Sequence, residues 1–225
     1  MSTVINLDQS IVFLGQFPAL TGVTMSIDQG EIVLIKGPNG AGKSTLLHLC
    51  AGLLPMRSGT GTVLNFDLQR QRMELRPHIG LLGHRTGLYP DLTVKENMKF
   101  WASAYGSNDN EIDKAMAFFG LSGRLESVRS QNLSEGQRRR TAFALLLIKR
   151  PSIWLLDEPY AGLDDNGREL VNSCILQAVE AGTTVLIASH QINNIGKSDQ
   201  RTLQVKGGRI TIEPEEPSKG DDHVS

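Results

Sequence analysis

Short apolar runs, separated by longer amphipathic segments, organise most of the chain. Four of these runs have the length and apolar content of buried strands, and they cover 31–36, 79–82, 152–156 and 183–189. Nearer the start, Val23, Met25 and Ile27 alternate with polar neighbours, which is typical of a strand with one exposed face. The pattern predicts an α/β fold with a small additional sheet at its N-terminal end.

Weaker signals predict the remaining strands. These strands are short apolar stretches between polar, glycine or serine residues, and they cover 4–7, 11–14, 62–66, 202–206 and 209–212. The last two flank Gly207-Gly208, which indicates a β-hairpin, and the Gly/Ser/Thr-rich stretch 55–62 is predicted to be a loop. The tail 213–225 is polar, acidic and contains proline, so we expect it to be disordered.

A helical segment interrupts the alternation of strands and helices. Thr93 and Glu96 have capping-box spacing at the start of a helix that reaches about Tyr105, and a second helix is predicted over 111–119. We expect a helical insertion over about 84–140 within a single domain that covers 1–212.

One nonapeptide carries the strongest chemical signal. The sequence Gly37-Pro38-Asn39-Gly40-Ala41-Gly42-Lys43-Ser44-Thr45 matches the phosphate-loop pattern G-x-x-x-x-G-K-[ST], and it lies between a predicted strand and a predicted helix. Its glycines permit positive φ angles, so backbone amides can approach an anion closely. Lys43 is predicted to reach the β- and γ-phosphates, the Ser44 hydroxyl to hold Mg²⁺, and Thr45 to add a phosphate contact. The alternative, an unrelated glycine-rich turn, gives no reason for every fixed position to be filled.

Two predicted strands end in polar side chains that suit the same chemistry. The run 152–156 leads into Asp157-Glu158. A carboxylate at such a strand end suits Mg²⁺, and a second one can accept a proton from an attacking water. The alternative is a pair of solvated acids. His190 follows 183–189, and ligand groups in open α/β sheets gather outside the carboxyl ends of strands.

Two other features leave alternatives open. Leu133-Ser134-Glu135-Gly136-Gln137 opens a predicted helix, and its serine and glutamine can form a capping box, whereas a serine and a glycine at an exposed helix N-terminus can also bind an anion. Phe13 and Phe17 are the aromatic residues that precede the phosphate loop. Either one could stack on a purine base or fill the core.

Composition narrows the classes of function. The 225 residues carry a formal net charge of −1, so the overall charge gives no reason to expect a nucleic-acid partner. We expect a cytosolic protein without a signal peptide, because no apolar run approaches the roughly 18 residues of a membrane span. Cys50 and Cys174 fall in apolar helical patterns and are predicted to be buried thiols.

The ordered set of motifs resembles the nucleotide-binding subunit of ATP-binding-cassette (ABC) transporters. The set comprises the phosphate loop, the pentad 133–137, Asp157-Glu158-Pro159, Ala161-Gly162-Leu163-Asp164 and His190, and the resemblance extends to about residue 212. It implies a RecA-like core with an N-terminal antiparallel β subdomain and an inserted helical subdomain. It also implies ATP hydrolysis with Mg²⁺ in a homodimer or heterodimer of ATPase subunits. Integral membrane subunits are the implied partners, at the cytoplasmic face of the cell membrane.

The resemblance assigns roles to individual residues. Residues 43–45 correspond to phosphate and Mg²⁺ ligands, and Asp157 to the residue that holds the Mg²⁺ shell. Glu158 resembles the general base, and His190 resembles the switch histidine that touches the γ-phosphate.

The same resemblance implies that part of each site comes from the other subunit. Ser134 and Gly136 correspond to residues that close over ATP held by the opposite phosphate loop. Asp164 lies in the corresponding loop at the dimer interface.

Three positions depart from the usual family pattern. His84 stands where glutamine is usual, and a neutral imidazole can accept a hydrogen bond or contact a metal but lacks the donor-plus-acceptor pair of an amide. The aromatic expected to contact adenine aligns nearest Leu14, which leaves Phe13 as the candidate substitute. Tyr160 fills a position that is often smaller.

The stretch 80–93, with Gly83-His84, is similar to ATPases of the cytochrome c maturation system, historically called haem exporters. The alternatives are the ATPase of another small bacterial exporter, an ABC ATPase outside transport, and a pseudo-ATPase. A single cassette without sustained heptads argues against the ABC ATPases outside transport. The presence of Lys43, Asp157, Glu158 and His190 argues against a pseudo-ATPase.

Overall fold

A computed structural model describes residues 2–190, 195 and 200–211, which form two β-sheets flanked by helices. The strands are β1 Thr3–Leu14, β2 Phe17–Asp28, β3 Ile32–Lys36, β4 Ser58–Val63, β5 Phe66–Asp67, β6 Ile79–Leu82, β7 Ile153–Asp157, β8 Thr184–Ala188, β9 Gln200–Lys206 and β10 Arg209–Thr211. The α-helices are α1 Lys43–Cys50, α2 Arg72–Leu75, α3 Val94–Tyr105, α4 Asp109–Phe118, α5 Glu135–Lys149 and α6 Asp165–Glu180.

The larger sheet has the strand order β10-β9-β3-β8-β7-β6. All its neighbouring pairs are parallel except β10 with β9, which form the predicted antiparallel hairpin. Successive side chains of a strand point to opposite faces of the sheet, so alternate residues of β3 belong to two different hydrophobic cores. Ile32 and Leu34 pack with α5 and α6 on one face, whereas Val33 and Ile35 pack with α1 and the smaller sheet on the other. The continuous apolar runs in the sequence reflect this burial on both faces.

The smaller sheet is antiparallel, with the order β2-β1-β4-β5. The two strands predicted at 4–7 and 11–14 are one strand, β1, and that part of the prediction is wrong. The register with β2 shifts between Leu7 and Ser10, and Gln9 has a φ of 46°. This bulge changes which side chains face inward and divides the apolar pattern into two pieces.

The stretch 55–66 also differs from the prediction. Ser58 to Val63 form β4, which pairs with β1, so most of the predicted loop is a strand. A Cβ on Gly59 would lie 2.3 Å from the carbonyl oxygen of Gln9, so the glycine reflects a close strand contact. The predicted strand 62–66 instead contains a tight turn, in which Leu64 and Asn65 have φ angles of 50° and 64°.

The described chain between β6 and β7 is helical, as predicted. Thr93, Asn108 and Ser134 each form a capping box at the start of α3, α4 and α5, and α3 and α4 both pack on α5. Phe119 and Phe143 are fully buried, with their ring centroids 5.9 Å apart. That these helices form a distinct subdomain inserted at about 84–140 stays a prediction. The predicted end of the domain at 212 and the predicted disordered tail 213–225 lie outside the described residues.

Among the described residues, none of the helices is long and apolar enough to span a membrane. Both cysteines are free and buried, and burial raises the pKa of each thiol to about 12.

Asn97, a fully buried side chain, fixes the loop that precedes α3. Its Oδ1 accepts a hydrogen bond from the Tyr89 amide at 2.8 Å. Its Nδ2 lies within hydrogen-bond distance of the Tyr89, Leu92 and Thr93 carbonyls and of the Ser130 hydroxyl. One buried amide therefore joins this loop to Ser130, three residues before the pentad begins.

We expect Asn97→Ala to lower the free energy of unfolding by about 2 kcal/mol, because the Tyr89 amide loses its acceptor in a partly buried position. Urea unfolding followed by circular dichroism measures the change. The control is Lys99→Ala, which alters an exposed residue of the same helix and should stay within about 0.5 kcal/mol of the parent. An equal loss in both variants would contradict the role given to Asn97.

Candidate functional site

A cavity of about 410 Å³ lies where β3, β7 and β8 end. Its lining consists of Leu14, Ala19, Asn39, Gly40, Gly42, Lys43, Ser44, Thr45, His84, Asp157, Glu158 and His190. The phosphate loop, the acid pair and the histidine after β8 are far apart in sequence and meet at one site.

The phosphate loop is held between neighbouring backbone segments. A Cβ on Gly37 would lie 2.1 Å from the Val205 carbonyl oxygen, and one on Gly42 would lie 2.8 Å from that of Ala19. Gly42 also has a φ of 108° at the N-cap of α1. Ala41, within the loop, is buried, and its carbonyl accepts a hydrogen bond from the Gly208 amide at 3.0 Å. Only glycine at these two positions allows the loop to approach β2 and β9 so closely.

Lys43 is only 7 % exposed, and its ammonium group is surrounded by acceptors. Its Nζ donates to the carbonyls of Gly37 and Pro38 at 2.8 and 3.0 Å, and it lies 3.1 Å from Nε2 of His190. The same Nε2 lies 2.6 Å from Oδ1 of Asn39. The cation and the imidazole are thus held together at the loop, where an incoming phosphate oxygen can replace their present partners.

Glu158 is fixed at both its backbone and its carboxylate. Its φ of 46° is in the left-handed region, and its amide donates to the Ala188 carbonyl at 2.8 Å. The carboxylate accepts hydrogen bonds from the Ser189 hydroxyl at 2.8 Å and from the His190 amide at 3.2 Å. A strained backbone held by neighbouring bonds is common where a side chain must be aimed at a reacting group. The role of Ser189 in holding Glu158 was not predicted from the sequence. Its position next to His190 was the only hint of that role.

Ser44 and Asp157 line the same cavity and offer oxygen ligands of the kind that Mg²⁺ prefers. Among the described residues, no group of three or more His, Cys, Asp or Glu is arranged to hold a metal ion. Mg²⁺ is commonly bound through one or two protein groups together with substrate phosphates. His84 is an exposed part of the cavity lining, but it has no such group of further ligands around it.

The structure does not place Phe13 in the cavity lining, whereas Leu14 is part of it. Leu14 pairs with Phe17 across the hairpin of β1 and β2, and directly opposed residues of an antiparallel pair share one face. Phe17 is 79 % exposed. The geometry therefore favours Phe17 over Phe13 as an aromatic contact for a base at this end of the cavity.

The pentad and Asp164 lie outside the cavity lining. The Ser134 hydroxyl accepts a hydrogen bond from the Gln137 backbone amide at 3.2 Å, and Oε1 of Gln137 accepts one from the Ser134 backbone amide at 2.9 Å. Asp164 caps α6 by accepting from the Gly167 amide at 2.8 Å. A Cβ on Gly136 would lie 2.6 Å from the Gly162 carbonyl oxygen, so the first turn of α5 contacts the loop that carries Asp164. Ser134 serves as a cap and is nevertheless exposed.

Comparisons with known proteins agree with this geometry. Residues 20–161 match the family model described as "ABC transporter". The chain is 36 % identical over 178 residues to "Cytochrome c biogenesis ATP-binding export protein CcmA" of Shewanella sp. (strain MR-7), which covers 79 % of this chain and 82 % of that protein. It is 34 % identical over 197 residues to "ABC transporter ATP-binding protein NatA" of Bacillus subtilis (strain 168), covering 85 % and 80 %.

Solved structures give the same family. The fold matches a structure titled as the dimeric post-hydrolysis state of an ATP-binding cassette bound to ADP and Pi, with a TM-score of 0.82 and 26 % identity over 92 % of this chain and 96 % of that one. A second match, titled as the ATP-binding subunit of an ABC transporter, has a TM-score of 0.83 at 23 % identity and supports the fold alone. With its phosphate loop, acid pair and histidine in one cavity, this chain belongs to the ABC transporter family, as an ATP-binding subunit that hydrolyses ATP.

Proposed function

We propose that the chain binds ATP and Mg²⁺ in the described cavity and hydrolyses ATP with Glu158 as general base. This assignment rests on the position of the Glu158 carboxylate. It accepts hydrogen bonds from the Ser189 hydroxyl and the His190 amide, and Glu158 lines the same cavity as Lys43. A carboxylate fixed in this way can accept the proton of an attacking water.

The other residues of the cavity supply charge and orientation. Lys43 and the amides at the start of α1 bind phosphate oxygens, and His190, whose Nε2 lies 3.1 Å from Nζ of Lys43, contacts the γ-phosphate beside it. Ser44 and Asp157 hold Mg²⁺, which neutralises charge on the phosphates when it is bound. Thr45 adds a phosphate contact, and Phe17 covers the base.

We propose further that two subunits enclose two ATP molecules between them. Ser134 and Gly136 stand at the exposed N-terminus of α5, where free backbone amides attract an anion. They do not line the cavity of their own subunit, which supports a role at the ATP of the other one. Asp164, in the loop that contacts Gly136, then lies at the subunit interface.

The proposed membrane partner docks beside the nucleotide site. A groove of about 620 Å³ runs between the segments 84–90 and 130–139. His84 and Arg139 contribute to its lining. Tyr89, between the lining residues Leu88 and Pro90 in sequence, is exposed, and its ring centroid lies 4.7 Å from that of the exposed Phe100. A segment of the membrane partner docked in this groove would hold the subunit at the cytoplasmic face of the membrane. Because His84 lines both the groove and the nucleotide cavity, nucleotide binding could alter the contact with that segment.

For the handled substrate we propose cytochrome c maturation, that is, haem handling by the membrane partners. The Gly83-His84 stretch and the similarity to the Shewanella export protein support this role. The runner-up is another bacterial exporter, since the chain is also 34 % identical to "Probable multidrug ABC transporter ATP-binding protein YbhF" of Escherichia coli (strain K12), of which it covers only 36 %.

We expect Ser189→Ala to lower kcat for ATP hydrolysis roughly tenfold, because a hydrogen bond to a charged group contributes about 1.5–3 kcal/mol. KM for ATP should change less than threefold, since the lost bond orients Glu158 rather than binding phosphate. A phosphate-release assay gives both constants. Ser152→Ala, at an exposed position immediately before β7, is the control and should leave kcat unchanged. An unaltered kcat in Ser189→Ala would remove the orienting role.

Glu158→Gln should reduce kcat by about 10²–10⁴-fold, the usual contribution of a positioned general base, while ATP binding persists. The variant should then accumulate as an ATP-bound dimer, detectable by sedimentation velocity with and without ATP. Turnover at the parental rate would eliminate Glu158 as the base.

The same variant tests the partner assignment. Captured from native membranes in the presence of ATP, it should retain integral membrane subunits of cytochrome c maturation, identified by mass spectrometry. Recovery of other integral membrane proteins would overturn the haem-related role, and recovery of soluble proteins alone would overturn the transport role. The control capture uses Lys43→Ala, in which phosphate binding is lost.

A further inference from the structure

Three consecutive arginines follow the pentad on α5, and each donates to a carbonyl in a different part of the chain. Arg138 donates to the Leu133 carbonyl, Arg139 to that of Gly83 at 3.0 Å, and Arg140 to that of Phe119 at 3.2 Å. Arg139 differs from its neighbours because it is only 3 % exposed. It is also the member of the three that reaches the loop after β6.

The surroundings of Arg139 are costly for a cation. Its Nε is buried and has no hydrogen-bond partner among the described residues. Burial lowers the pKa of its guanidinium group, while the charges of Glu135, Asp157 and Glu158 act in the opposite direction. Buried polar groups are normally paired, so a packing role alone does not explain an arginine here.

The position of Arg139 connects two parts of the proposed mechanism. Gly83, whose carbonyl it holds, immediately precedes His84 in the lining of the nucleotide cavity. Asp157 and Glu158, which attract its charge, line the same cavity. Arg139 itself lies one turn after Gly136 on α5, the helix whose N-terminus carries Ser134.

We propose that Arg139 is a positioning residue that couples the nucleotide cavity of its own subunit to the pentad presented to the other subunit. This inference rests on the proposed function, in which the pentad acts across a dimer. Binding of Mg²⁺ and ATP changes the charge beside Asp157 and Glu158, and hence the attraction on the guanidinium group. Arg139 belongs to α5, and its guanidinium group is bonded to the Gly83 carbonyl. The loop that carries Gly83 and His84 and the first turn of α5 therefore shift together when nucleotide binds.

The test uses Arg139→Met, which keeps the length and apolar stem of the side chain but removes its charge and donors. In the Glu158→Gln background, the variant should bind a fluorescent ATP analogue with an affinity within threefold of the parent. It should need at least tenfold more ATP to reach half-dimerisation by sedimentation. Arg139→Lys keeps the charge, so its ATP concentration at half-dimerisation should lie between those of the parent and Arg139→Met. It also provides a second variant if Arg139→Met folds poorly.

The matched control is Arg140→Gln, which loses a comparable carbonyl contact outside the cavity and should dimerise like the parent. Unchanged dimerisation in Arg139→Met, or equal weakening in Arg140→Gln, would overturn the proposal.

Amide hydrogen exchange separates this inference from the proposed dimer. If the Glu158→Gln parent does not dimerise with ATP, the proposed dimer fails, and the coupling is then judged within single chains. The expected result is that ATP slows exchange in both 83–88 and 134–138 of the parent but only in 83–88 of Arg139→Met. Equal slowing of 134–138 in the two proteins would overturn the role of Arg139.

Discussion

The parallel register of β3, β8 and β7 is the constraint on which the nucleotide site depends. Ala188 pairs with Ile35 on one side and with Asp157 on the other, so the three strands end at one level. The phosphate loop, Glu158 and Ser189 therefore leave the sheet side by side, although they are far apart in sequence. The close contacts of Gly37 and Gly42 with neighbouring backbone then fix the loop against this edge.

Several energetically unfavourable features lie at or near this edge of the sheet. Glu158 has a left-handed backbone, Lys43 is an almost buried cation, and Arg139 is a buried cation whose Nε has no hydrogen-bond partner in the described part of the chain. Departures from local rules that cluster in this way are typical of functional sites, whose strain is compensated by the surrounding structure. The two cores on either face of the larger sheet supply that compensation, because they bury the strands on both sides.

The sequence predicted the parts of the fold that follow from local patterns. The central strands, the capping boxes at Thr93 and Ser134 and the Gly207-Gly208 hairpin were readable because apolar runs and turn chemistry act over a few residues. The single long β1 and the turn at Leu64 and Asn65 were not, because a bulge and two left-handed residues depend on pairing partners distant in sequence. Ser189 and Arg139 were missed for the same reason, since their partners are known only once the strands are assembled. The residues of the phosphate loop that touch the cavity were predicted because one motif contains them all.

Cysteine cross-linking can establish whether the pentad of one subunit completes the nucleotide site of the other, as we propose. Subunits with Asn39→Cys are mixed with subunits with Ser134→Cys, both carrying Glu158→Gln, and treated with a short bifunctional thiol reagent. The two native thiols are buried and should not react. If the pentad acts across the dimer, a covalent dimer should form only in the mixture and only with ATP. Absence of that dimer, together with an intramolecular cross-link in a chain carrying both new cysteines, would contradict it.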